Sequence, residues 1–160
     1  MNRWHRSWRT LVMGLWASLA SLAAHADTDA CTLVTSAQIS AATRLAVGAG
    51  THVTPTFVRT CTWTPMTASS IRAVTVNVQT AAFYDGAKQM ASKMAAAVAG
   101  AKVQSASVGD DAFYDMMAGM ATLFFKKGSA SIKVAVYAKL PVDQIESMEL
   151  AIATQVAAKL

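Results

Sequence analysis

Residues 121–138, ATLFFKKGSASIKVAVYA, decide the fold. Ile132, Val134 and Val136 alternate with Ser131, Lys133 and Ala135, and an apolar residue at every second position gives an extended chain one face to bury. Gly128-Ser129 separates this run from Ala121–Lys127. A glycine at the first of two central residues suits a type II′ turn, so the stretch predicts a hairpin of Ala121–Lys127 with Ala130–Ala138.

Further strands lie toward the N-terminus. Ile71 to Gln79 alternates cleanly, with Val74, Val76 and Val78 on one face and Thr75 and Asn77 on the other. Val58 to Thr64 is rich in residues that suit a pleated strand and places Cys61 and Trp63 on one face. A short strand is expected at Lys102 to Ala106, after which Gly109-Asp110-Asp111 turns the chain.

Helical periods separate these groups. Thr35 can cap a helix reaching about Ala46, Gln38 can complete a capping box, and Val34 with Ile39 matches a hydrophobic staple. Phe83, Ala87, Met90, Ala91, Met94 and Val98 recur at helical spacing from Ala82 to Ala99. Ile145, Met148, Ile152, Val156 and Leu160 trace one face of a closing helix, for which Asp143 and Glu146 predict a second capping box. Strands in short-turn groups between helices predict an α+β fold, a mostly antiparallel sheet with helices packed on its apolar face. The tetrapeptide Ala82-Phe83-Tyr84-Asp85 recurs as Ala112-Phe113-Tyr114-Asp115. Its flanks diverge and its two copies carry different periods, so it is read as chance or a faded remnant rather than a repeat unit.

The first 26 residues have a different character. Arg3, Arg6 and Arg9 precede an apolar run from Leu11 to Ala24, and Ala24-His25-Ala26 offers small residues at both recognised positions. That layout predicts a cleavable secretory signal ending at Ala26, and an apolar core too short to span a membrane. Its removal leaves a single domain over residues 27–160, long enough to hold a core without a metal. The protein is expected in the periplasm or outside the cell.

Cleavage also changes the charge balance. The chain has 14 basic and 9 acidic residues, but three of the arginines belong to the leader. The remaining cations are scattered, with Lys126-Lys127 the one adjacent pair. Neither a phosphate-tracking stripe nor a polybasic membrane patch is present, so nucleic acid is not an expected partner. Cys31 and Cys61 are an even pair in an exported chain and predict a disulfide. Closing that loop is worth about 3 to 4 kcal/mol on the chain-entropy account.

Candidate chemistry is sparse. His52 is the one histidine after the leader, and it falls in a threonine-rich stretch read as a surface loop, with no Gly-x-Ser-x-Gly elbow in the chain. Asp110, Asp111 and Asp115 lack the order of a calcium loop and read as a solvated turn. Met116, Met117 and Met120 are a candidate cuprous-ion site, because thioethers are soft ligands. Tyr84, Tyr114 and Tyr137 lack a place in the expected core and are candidates for a polar-tipped binding patch. No catalytic residues and no cofactor are expected.

Several short motifs belong together: Cys31-Thr32-Leu33-Val34-Thr35 before a helix, the Cys61-Thr62-Trp63 strand, and Val108-Gly109-Asp110-Asp111-Ala112-Phe113-Tyr114. With Lys127-Gly128 in a late hairpin and the closing helix, they resemble a broad group of small exported bacterial proteins of unknown function. Many of that group are lipoproteins with the same two-cysteine layout. The resemblance implies an α+β fold and no established activity. The expected function is therefore a non-catalytic module that binds an unidentified protein or small ligand, with copper handling through the methionines as the alternative.

Overall fold

The order of elements follows the change of period along the chain. The computed structural model describes residues 28–160; the expected leader and its cleavage point lie outside the described residues. Two short helices, α1 (Ala30–Leu33) and α2 (Ser36–Thr43), open the domain. Strands β1 (Thr51–His52), β2 (Thr60–Trp63) and β3 (Ile71–Thr80) follow, then α3 (Ala81–Ala97). Four more strands, β4 (Lys102–Ala106), β5 (Asp111–Met117), β6 (Met120–Lys127) and β7 (Ala130–Ala138), lead to α4 (Val142–Ala157). The seven strands form one sheet in the order β1-β2-β3-β7-β6-β5-β4, and every neighbouring pair is antiparallel. The fold is α+β. Among the described residues no helix is long and apolar enough to cross a membrane.

Local chemistry explains the boundaries. The capping box at α2 is formed, with the Thr35 hydroxyl accepting from the Gln38 amide and Gln38 Oε1 accepting from the Thr35 amide. Val34 and Ile39 of the expected staple are both buried. The helix stops earlier than expected because Arg44 turns left-handed at φ 56°. The second expected box, at Asp143 and Glu146, is not formed: α4 starts after Pro141, with no side chain capping it and Asp143 inside its first turn. Gly128 has a positive φ of 57° and Lys127 pairs with Ala130, as a II′ turn requires. The β5–β6 hairpin turns on Ala118 and Gly119, both at positive φ, between the paired residues Met117 and Met120.

Residue parity assigns the helices to faces. Trp63, Val74, Val76, Val134, Val136, Leu123 and Phe125 form one core with Ile39 of α2 and Ile145, Ile152 and Val156 of α4. Phe113 and Phe124, at the alternate positions of β5 and β6, form a second, smaller core with Tyr84 and Ala91 of α3. Helices α1, α2 and α4 thus cover one face as expected, while α3 crosses to the other. Its buried side is Tyr84 and Ala91; Phe83 and Met90, expected inside, are exposed. The helix has turned so that its large aromatic, Tyr84, meets Phe113 edge to face at 5.3 Å, with Phe113 stacked on Phe124 at 5.1 Å. Ala82–Asp85 is therefore helix and Ala112–Asp115 is strand.

The disulfide joins Cys31 of α1 to Cys61 of β2, with Cα atoms 5.0 Å apart. It pins the start of the domain onto the sheet, and Gly50 passes so close that an added Cβ would lie 2.6 Å from Cys61 Sγ.

Candidate functional site

The β6–β7 ladder runs from Lys127–Ala130 to Leu123–Val134 and then ends, although β6 begins at Met120 and β7 continues to Ala138. The strands part over residues 120–122 of β6 and 135–138 of β7. A cleft of 430 Å³ fills the opening, walled by Ala121 and Thr122 on one side and Ala135 and Val136 on the other. The buried Ile145 of α4 also lines it, together with the exposed Met120 and Tyr137. Arg72, Lys133 and Lys139 supply its charge, and among the described residues no carboxylate forms a salt bridge with any of them. Lys133 also lies over the Phe124 ring at 5.7 Å.

Parting leaves backbone groups without strand partners, and α4 answers this with Glu149. Its carboxylate is fully buried, and Oε1 accepts a hydrogen bond from the Val136 amide at 2.9 Å. Oε2 has no partner. Burial pushes the Glu149 pKa up to about 8, outweighing the Val136 and Leu123 amides, which favour the charged form. Next to it Tyr114 donates to the Glu146 carbonyl at 2.8 Å, and burial, aided by the Glu149 and Glu146 charges, pushes its hydroxyl pKa up.

Of the three tyrosines expected on the surface, Tyr84 and Tyr114 are buried in the two cores and Tyr137 alone is exposed, at the cleft. Tyr84 reads as core only once α3 is placed on the reverse face. Its hydroxyl is buried without a hydrogen-bond partner, under Lys88 and Lys126 at 5.7 and 5.2 Å from the ring. Desolvation, then the neighbouring Asp111 carboxylate, by its interaction with the hydroxyl before its charge, pushes its pKa up. Lys88 pairs with Asp111 at 2.8 Å and holds that carboxyl below its ordinary range. Asp110 accepts from the Gly128 amide at 2.7 Å and so braces the neighbouring hairpin turn, while Asp115 faces Thr122 across the ladder. The three aspartates have three separate duties.

Strand alternation divides the methionines. Met117 and Met120 pair directly across the β5–β6 hairpin, but Met116 points to the opposite face and is buried in the main core. The three thioethers do not converge.

His52 is not in a loop. It lies on β1 opposite Cys61, and its Nε2 meets Asp29 Oδ1 at 2.8 Å. Asp29 also caps α1 by accepting from the Cys31 amide at 2.8 Å. The His52 hydrogen bond is the main cause of a lowered Asp29 pKa, against a smaller opposing effect of burial.

Glu149 is the residue that sequence reasoning passed over. It sits in the apolar stripe Ile145, Ile152, Val156 at helical spacing, and a lone carboxyl in such a stripe is the signal that finds it.

The architecture is that of a disulfide-bonded α+β domain with a cation-rimmed cleft at a parted strand pair. Comparison with family models, with curated proteins and with solved structures gives no match to this chain.

Proposed function

We propose that this chain is an exported binding module, not an enzyme, whose cleft takes a small ligand with an anionic group and an apolar body. The observation that carries the reading is the pairing of Arg72, Lys133 and Lys139 with the apolar wall of Ala121, Ala135, Val136 and Ile145 in one cleft of 430 Å³. That size is in the range that encloses small molecules, and convergent charge on an apolar wall selects amphiphilic anions. Export is supported by the leader pattern and by the disulfide, since such bonds persist in oxidising compartments.

Calorimetric titration with decanoate tests the reading, with decanol as the uncharged control. Decanoate is expected to bind and decanol to bind more weakly. The double variant Arg72→Ala/Lys139→Ala should weaken decanoate by about tenfold, the scale of two partly exposed charge contacts. Equal affinities for the two probes, or an unaffected double variant, would sink it.

A further inference from the structure

The other concentration of chemistry is at the disulfide. One ligating atom each of Asp29, Cys31 and His52 lies within 4.8 Å of the other two, and Cys61, bonded to Cys31, faces His52 across the β1–β2 ladder. Four donors of three kinds therefore meet at one end of the sheet: two sulfurs, an imidazole nitrogen and a carboxylate oxygen. Three different devices position them. The cap on α1 holds Asp29 beside Cys31, the ladder fixes His52 opposite Cys61, and the hydrogen bond between Asp29 and His52 aims oxygen and nitrogen at one another. Both of those side chains are partly exposed, at 35% and 26%, so solutes reach them.

While the sulfurs are bonded to each other they are poor ligands. We infer that the reduced form of this site is a tetrahedral zinc site made by Cys31, Cys61, His52 and Asp29, closed to metal by formation of the disulfide. A dithiol supplies two electrons and two protons, converting the bridge to two thiols while closing to a disulfide itself. Zn²⁺ then displaces both thiol protons to solvent, and the proton that His52 Nε2 donates to Asp29 moves through solvent to Nδ1, which frees Nε2 to bind the metal with the imidazole neutral. With Zn–S bonds of about 2.3 Å the sulfurs stand about 3.8 Å apart in a tetrahedron, a separation reached by rotating the cysteine side chains. The Asp29–His52 contact of 2.8 Å opens by about half an ångström to admit an ion between oxygen and nitrogen at about 2.0 Å from each. Two thiolates with one imidazole and one carboxylate suit Zn²⁺ better than calcium, which takes oxygen donors.

Cobalt titration of the purified protein reads this directly. After reduction with a phosphine, a single Co²⁺ should give the visible bands of tetrahedral cobalt with thiolate-to-metal charge transfer, and Zn²⁺ should bleach them. The oxidised protein should give neither. His52→Ala and Asp29→Ala should each weaken Zn²⁺ by at least the roughly 10- to 100-fold that losing a supporting partner costs at such sites. No cobalt spectrum on reduction, equal binding by the oxidised form, or unchanged affinity in both variants overturns the inference. If reduction unfolds the chain, Zn²⁺ is expected to restore the circular dichroism of the reduced wild type but not of His52→Ala. Failure to restore it, or equal restoration in both, overturns the inference as well.

Discussion

Replacing Glu149 by glutamine separates the charge of this residue from its hydrogen bond. The ordinary pKa of its carboxyl is 4.5, and burial in the fold raises it to about 8. Between those limits the native state holds a proton that the unfolded chain has lost, so stability must fall as pH rises. Below 4.5 both states are protonated and above 8 both are ionised, so the dependence is flat on either side. Each pH unit inside the window changes the folded-to-unfolded ratio about tenfold, and the window is worth about 4 to 5 kcal/mol as an order of magnitude. Glu149→Gln keeps an oxygen that accepts from the Val136 amide and cannot ionise. Urea unfolding with the disulfide intact, from pH 4.5 to 8.5, should show wild type losing stability relative to the variant by several kcal/mol. Carbon-detected NMR of the carboxyl should show its titration near 8. Parallel stability curves for the two proteins would refute the reasoning, because a solvated Glu149 would lose its proton equally in both states.

Other perturbations probe the rest of the frame. Gly50→Ala forces a Cβ to within 2.6 Å of Cys61 Sγ and 2.7 Å of Trp63 Nε1, and thermal melts should show a loss of about 1 to 3 kcal/mol, the scale of overpacking. Tyr84→Phe deletes a buried hydroxyl that closes no hydrogen bond but lies beside the Asp111 carboxylate, and it keeps the ring under Lys88 and Lys126; its melting temperature should change little. Lowered pKa values at Asp29 and Asp111 stabilise the fold above the ordinary carboxyl range, and that contribution is lost as pH falls through the folded values. Acid unfolding of Asp29→Asn should therefore show a weaker dependence below pH 4 than wild type. Reducing the disulfide should cost about 3 to 4 kcal/mol in urea midpoint measurements.

Strands β2, β3, β4, β6 and β7 and the three longer helices are legible because alternation and turn chemistry are local, whereas α1, β1 and β5 carry no such pattern. Val74, Val76 and Val78 announce a half-buried strand without help from the rest of the chain, and Gly128-Ser129 announces its turn. The face on which α3 packs was not legible. Phe83 and Met90 look like the better core residues by composition, but the sheet presents Phe113 and Phe124 to this helix, and edge-to-face packing of Tyr84 on them fixes its rotation. The candidate tyrosine patch failed for the same reason. Its members were judged by local pattern, while the second core that takes Tyr84 exists only after two distant segments meet. His52 was misread because β1 is two residues long, too short for any period to show in sequence, and its pairing with Cys61 is set by the fold.

The cleft and Glu149 have a common cause. A ladder continued past Leu123 and Val134 would give the Val136 amide a strand partner and leave no need for a carboxyl in the core. Instead the strands part, Val136 turns to Glu149, and the domain keeps an acid that opposes folding at neutral pH. Leaving the Val136 amide unpaired would cost about 1 to 3 kcal/mol, so the carboxyl compensates the parting but not its whole cost. Sequences depart from local consistency chiefly where function requires it. The departure here adjoins a cleft, lined by Val136 itself, that joins apolar surface to three cations free of salt bridges among the described residues. A variant that closes the ladder should therefore gain stability at neutral pH and lose decanoate binding together, whereas a purely structural distortion would allow the first without the second.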